Sequence, residues 1–199
     1  MSGRALARAM LLVLVPLAAS AGATPVTLRE IRQGLFGTCF ATDRDGWMVG
    51  ELGRIFHTAD GGETWERQDA GTKRPFLAIA CLDAQSAWIA GKEGIVYGTS
   101  DGGATWTSQP APVAQRSFYD VVVQGRQGWI VGNSGTVLAS TDGGASWALE
   151  PLPIQLAANW IRALALGPGG RGLAVGAEGL VLRLEGATLR RLGEHEGGL

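Results

Sequence analysis

TSDGGATW, residues 99–106, sets two adjacent glycines behind an aspartate and closes on a tryptophan. TADGGETW at 58–65 and STDGGASW at 140–147 repeat it, so that Asp60, Asp101 and Asp142 stand 41 residues apart. A catalytic carboxylate is rarely needed three times at a fixed period, whereas a structural unit is, and the octet therefore marks a repeat. In such a corner the aspartate accepts hydrogen bonds from its own turn. Gly61, Gly62, Gly102, Gly103, Gly143 and Gly144 take left-handed positions. Trp65, Trp106 and Trp147 then open the next strand, each ring folded back on its corner.

Each octet ends a longer unit. The first reads FGTCFATDRDGWMVGELGRIFHTADGGETWERQ and the second FLAIACLDAQSAWIAGKEGIVYGTSDGGATWTSQ. The third is FYDVVVQGRQGWIVGNSGTVLASTDGGASWALE, and WIRALALGPGGRGLAVGAEGLVLRLEGATLRRL keeps the pattern in blurred form. Four short apolar or alternating runs, divided by turn residues, predict a four-stranded meander per unit. In the second unit these fall at 76–81, 87–91, 94–99 and 104–109. GELG, GKEG, GNSG and GAEG, beginning at Gly50, Gly91, Gly132 and Gly176, supply paired glycines for positive φ in the hairpin between strands two and three.

Trp47, Trp88 and Trp129 precede Trp65, Trp106 and Trp147 by 18 residues each. Trp160 takes the strand-opening place of Phe36, Phe76 and Phe118. Aromatics this periodic are expected to fill the core between sheets rather than form a carbohydrate-binding surface. Meanders repeating near 40 residues predict an all-β fold, a propeller of about four blades over 24–193, as a small or incomplete ring. VTLREI at 26–31 reads as an extra last strand, although ATLRRL already ends the fourth unit. That surplus suggests an open arc whose bare edges would pair with another copy or a partner.

Residues 1–23 combine Arg4, Arg8, an apolar run from Met10 to Leu17 and small residues up to Ala23. This is the order of a secretory signal peptide, and the run is too short to span a bilayer. The chain is thus expected to be exported, with 194–199 as a Gly-rich flexible tail. Without Arg4 and Arg8, the 17 basic residues become 15 against 18 acidic ones, a balance that argues against nucleic acid. Cys39 and Cys81 lie in the first strands of adjacent units. Alignment on the following tryptophans gives them opposite faces, and alignment on the preceding aromatics gives the same face. Two buried free thiols are the preferred reading, with a disulfide the alternative in an oxidising compartment.

The string GW-[MI]-VG-x-x-G-x-[IV], followed by [ST]-x-DGG-x-[TS]-W, resembles the photosystem II stability/assembly factor family. The octet itself is similar to the Asp-box, or BNR repeat, of sialidases and sortilin-like receptors. Gly46-Trp47, Gly128-Trp129, the Gly-x-x-Gly turns and the three octets carry the match. Ala87 replaces the glycine of the second unit, and the fourth box has become LEGATL, with Glu185 near the aspartate position and Leu189 for tryptophan. The resemblance implies an exported propeller, in the periplasm or in a thylakoid lumen of a photosynthetic organism. Members are seven-bladed, and bacterial relatives are often encoded beside transporters of the resistance-nodulation-division type.

The expected function is a non-enzymatic scaffold that assists assembly of, or docks onto, a membrane protein complex through its exported segments. A sialidase-like glycosidase and a truncated paralogue without independent function are the alternatives. Glycosidase chemistry would need an arginine cluster, a tyrosine–glutamate pair and an acid. Tyr97 aligns with Phe56 and Leu138 as core, and Asp43 with Asp45, or Glu194 with Glu196, sit in loops. His57 and His195 lack metal-ligand spacing, so no catalytic residue, metal or cofactor is assigned. The candidate binding surface is the rim where the loop entering each first strand meets the turn between strands two and three. Arg74 and Arg116 occupy equivalent places two residues before Phe76 and Phe118. Arg32, Arg162 and Lys92 lie near the same rim.

Overall fold

Short near-continuous apolar runs such as AWIAG at 87–91, buried at every residue and cut by glycine turns, produce sheets with two buried faces rather than one. The computed structural model describes residues 26, 31–32, 34–152, 156–185 and 188–192. The signal-peptide and tail assignments, and most of 26–31, lie outside them; Val26 itself bridges Trp65. The first blade is β1 (Leu35–Phe40), β2 (Gly46–Gly50), β3 (Ile55–Thr58) and β4 (Glu66–Gln68). The second is β5 (Phe76–Cys81), β6 (Ala87–Gly91), β7 (Val96–Thr99) and β8 (Thr107–Gln109). The third is β9 (Phe118–Gln124), β10 (Gln127–Gly132), β11 (Val137–Ser140) and β12 (Ala148–Leu149). The fourth is β13 (Ile161–Leu166), β14 (Arg171–Gly176), β15 (Val181–Glu185) and β16 (Thr188–Arg191).

Every sheet is an antiparallel meander in sequence order. The first strands β1, β5, β9 and β13 pack side by side along the inner edge. Three apolar clusters hold the blades together, one at each junction. Among the described residues no such cluster joins the fourth blade to the first. All six repeated tryptophans are buried; Trp47, Trp88, Trp106, Trp129 and Trp147 lie within these junctions, and Trp65 lies outside them, edge-on to Phe40 at 6.4 Å.

Register overturns two of the sequence assignments. Phe76 pairs with Gly91 and Phe118 with Gly132, and the residues in the same place are Leu35, opposite Gly50, and Ile161, opposite Gly176. Phe36 and Trp160 are each one residue out of step and stand 52% and 44% exposed. Ile161 fills the slot that the aromatic of Trp160 suggested.

The turn glycines also act differently from the expectation. In the second-to-third turns the left-handed residues are Leu52-Gly53, Glu93-Gly94, Ser134-Gly135 and Glu178-Gly179. The leading glycine is extended, with φ −172° at Gly50. It is needed because a Cβ there would collide with the carbonyl oxygen of Gly34; Gly91, Gly132 and Gly176 face Pro75, Ser117 and Trp160 in the same way.

The free-thiol reading is corrected as well. Cys39 and Cys81 form a disulfide, Cα–Cα 6.0 Å, across the first junction. By register Cys39 lies opposite Trp47 and Cys81 opposite Ala87. They are therefore on opposite faces of their own sheets. Because each blade presents its forward face to the rear face of the next, opposite faces are what bring them together.

Candidate functional site

The octets resolve into corners that share one bonding pattern. In the second, the Asp101 carboxylate accepts from the Thr105 amide at 2.9 Å, the Thr105 hydroxyl at 2.6 Å and the Thr99 hydroxyl at 2.8 Å. The Gly103 amide donates to Thr99 Oγ1 at 2.9 Å. Thr58, Asp60 and Thr64 repeat this, as do Ser140, Asp142 and Ser146. The hydroxyls of Thr64, Thr105 and Ser146 are foremost in holding the three carboxyls below the usual carboxylate range. Both oxygens of each carboxylate accept hydrogen bonds from within its own corner, which makes these carboxylates turn-holding groups.

The tryptophans reach further than their own corners. Trp65 donates its indole N–H back to Gly62 O at 3.1 Å, as the sequence suggested. Trp106 instead donates to Gln68 Oε1 of the preceding blade at 3.1 Å, and Trp147 to Gln109 Oε1 at 2.8 Å. Gln68 also accepts from Trp47 at 3.2 Å and donates to Gly102 O at 2.9 Å. Sequence reading missed these latches, although the signal was present: a glutamine three residues after the octet tryptophan, at 68 and again at 109. In the fourth blade Leu184 pairs with Gly172, the place held by Thr58, Thr99 and Ser140 elsewhere. That hydroxyl is missing here, and β15 pairs with β16 out to Glu185 opposite Thr188. Trp129 Nε1, which faces that blade, is buried with no partner among the described residues.

The opposite end of the blades forms the rim. Each second-to-third turn donates to the entry loop of its own blade: Glu51 to Gly34 O, Lys92 to Pro75 O, Asn133 to Ser117 O and Ala177 to Trp160 O. Gly94 N also donates to Arg116 O and Gly135 N to Asn159 O, both at 2.6 Å, so the rim is stitched from blade to blade. Arg74, Lys92 and Arg116 all meet at the Lys92–Gly94 turn. Arg74 Nε pairs with Glu93 at 3.0 Å on the exposed surface, a contact of small energetic weight. Arg116 is half-buried and Lys92 exposed. Arg32 is exposed, two residues before Gly34 of the first blade's entry loop.

At the rim end of each innermost strand the ladder slips by one residue, between Leu35 and Gly37, Phe76 and Ala78, Ile161 and Ala163, and at Val131/Gly132 opposite Phe118. The residues released by these bulges are Phe36, Leu77, Tyr119 and Arg162. Bulges re-aim side chains, and here they create a row that core patterning hides. Arg162 lies over Tyr119 at 5.0 Å and over the exposed Trp160 at 4.6 Å, a cation held between two rings. Beside it Asp120 accepts from Leu164 N and Val121 N, while burial raises its carboxyl above the ordinary value.

Residues 24–113 and 110–185 match the family model described as photosynthesis system II assembly factor YCF48. The chain belongs to that family. A search of curated proteins finds no match. Among solved structures, YCF48 bound to a D1 peptide superposes with a TM-score of 0.68 at 24% identity, over 86% of this chain and 58% of that one. YCF48 from Cyanidioschyzon merolae gives 0.65 at 23% identity, over 86% and 59%. Virginiamycin B lyase from Staphylococcus aureus gives 0.64 at 16% identity, over 80% and 55%. These identities establish a shared fold, one that assembly factors and a lyase both use. The chain spans less than two thirds of the length of the YCF48 structures it matches.

Proposed function

We infer that this YCF48-family chain is an exported, non-enzymatic propeller scaffold whose 24–193 blade domain holds an extramembrane segment of a membrane protein complex at its rim. The observation that carries the reading is the row of bulge residues, ending in Arg162 between Tyr119 and Trp160, next to the Arg74–Lys92–Arg116 turn. Exposed aromatics beside arginines suit an extended polypeptide with apolar and acidic or carboxylate groups. A solved YCF48 carries a D1 peptide, so a propeller of this fold takes a polypeptide ligand. The client is a photosystem in a photosynthetic organism and a transporter complex in another bacterium. The corner aspartates, their oxygens occupied, support a structural role for the octets rather than acid–base work.

Charge reversal tests this. Arg116→Glu with Arg162→Glu should alter stability by no more than about 1 kcal/mol, as surface changes do, while lowering recovery of the membrane partner at low salt. Equal recovery by the variant and the parent would move the binding surface away from the rim.

A further inference from the structure

The repeat provides its own controls for blade one. Where the second-to-third turn meets the third strand, blades two, three and four place Ile95, Thr136 and Leu180, which are 7%, 3% and 1% exposed. Blade one places Arg54 there, directly before β3, with its Nε buried and without a hydrogen-bond partner. On β4, Arg67 stands opposite Phe56, where Ser108 and Leu149 stand opposite Tyr97 and Leu138. The linker into blade two departs in the same way. Gly53, at φ 67°, lies against the carbonyl oxygen of Thr72, as Gly94 lies against that of Val113 and Gly135 against that of Leu156. Val113 and Leu156 pack on the core, whereas Thr72 is followed by Lys73 on the surface.

These departures surround one cavity of about 490 Å³, whose wall includes Leu52, Arg54, Arg67, Asp69, Thr72 and Lys73. Arg54, Arg67 and Lys73 make no ion pair among the described residues. Asp69 is the single carboxylate of the wall, and it accepts from the Gly71 amide at 2.9 Å. Glu51 of the neighbouring turn accepts instead from Gly34 N at 3.2 Å. The next turn position, Glu93 and Glu178 in two other blades, is Leu52 here and brings no anion. Three cations against one carboxylate leave the cavity an excess of two positive charges. A buried guanidinium N–H without an acceptor costs free energy, and an oxyanion in the cavity supplies the acceptor.

We propose that this cavity binds a phosphate monoester, whether a soluble compound or a lipid headgroup. Such a group carries about −1.5 to −2 charge near neutral pH, which matches the excess, where a single carboxylate would leave one cation unanswered. Two guanidiniums offer planar donor forks suited to phosphate oxygens, and Lys73 adds a point charge. The volume lies within the roughly 300–1,000 Å³ of small-molecule sites. The organic part of the ester therefore has room beside the phosphate, with exposed Leu52 as its apolar contact. The site is separate from the rim row, since Arg74 turns to Glu93 at 3.0 Å and Arg162 to Tyr119 and Trp160.

Calorimetric titration of the full chain with inorganic phosphate at low salt tests this. One phosphate per chain should bind, and acetate at equal ionic strength should bind about tenfold more weakly or worse. Arg54→Leu and Arg67→Ser install the side chains that Leu180 and Ser108 contribute in other blades, so the blade keeps its fold. Each should weaken phosphate binding by about tenfold, the weight of one charge-assisted hydrogen bond. Arg126→Ser, which removes an exposed cation outside the cavity, should leave it unchanged. Sedimentation with phosphatidylcholine vesicles carrying phosphatidic acid, lost in Arg54→Leu, would make a lipid the source of the phosphate. Phosphate binding without sedimentation would make it a soluble ester. Absence of binding in both arms, acetate as tight as phosphate, or affinity untouched by Arg54→Leu and Arg67→Ser would overturn the proposal.

Discussion

Replacing Gln68 by alanine removes the acceptor of two indole N–H groups at once, those of Trp47 and Trp106 at 3.2 and 3.1 Å, together with the donor to Gly102 O at 2.9 Å. Trp47 is wholly buried and Trp106 is 8% exposed, so water does not readily replace the lost partner. An unsatisfied buried donor costs about 1–3 kcal/mol, and two of them, with some relief from entering solvent, place the loss at roughly 2–5 kcal/mol. Gln109→Ala is the internal control, because Gln109 accepts from Trp147 alone, at 2.8 Å. One orphaned donor puts its loss at about 1–3 kcal/mol. Guanidinium unfolding with an unchanged slope measures both as shifts of midpoint. Losses of equal size in the two variants, or a Gln68→Ala loss below about 1 kcal/mol, would refute the latch.

Trp88 donates to Gly144 O at 2.9 Å, whereas Trp129 Nε1 has no acceptor among the described residues. Trp88→Phe should therefore cost about 1 kcal/mol more than Trp129→Phe in the same denaturation assay. The Cys39–Cys81 bond closes a separation of 42 residues, and the Cys39→Ala, Cys81→Ala pair should lose about 3–4 kcal/mol by calorimetry. Because hydrogen bonds from Thr64, Thr105 and Ser146 lower the folded values of Asp60, Asp101 and Asp142, the stability they confer is complete above the ordinary value near ~4 and is lost as pH falls through the lower folded ones. Melting temperature should drop below that pH, and Asp101→Asn should flatten the acid limb; an unchanged limb would mean that the corner does not discriminate the carboxylate from its amide.

Much of the fold could be read directly. For the second blade, strands expected at 76–81 and 87–91 match Phe76–Cys81 and Ala87–Gly91. The third and fourth begin later, at Val96 and Thr107, because the Lys92–Gly94 turn and the corner hold the intervening residues. The rim was placed by the same means, since loops of like position must emerge at one end of a repeated meander. Arg162 was placed there too, but its seat between Tyr119 and Trp160 was not, because a core pattern has no register for an inserted residue. Tyr119 looks like an ordinary member of an apolar strand until the bulge turns it out towards Arg162.

Local chemistry by itself determined the meander, the DGG corners and the repeat, because turn glycines, alternating strands and a 41-residue period act within a few residues of one another. Tertiary structure alone decided what meets across a junction. The Cys39–Cys81 bond and the Gln68 latch depend on which face of one sheet lies against which face of the next. Face pairing is a property of the stacked blades and reverses with a one-residue change of register.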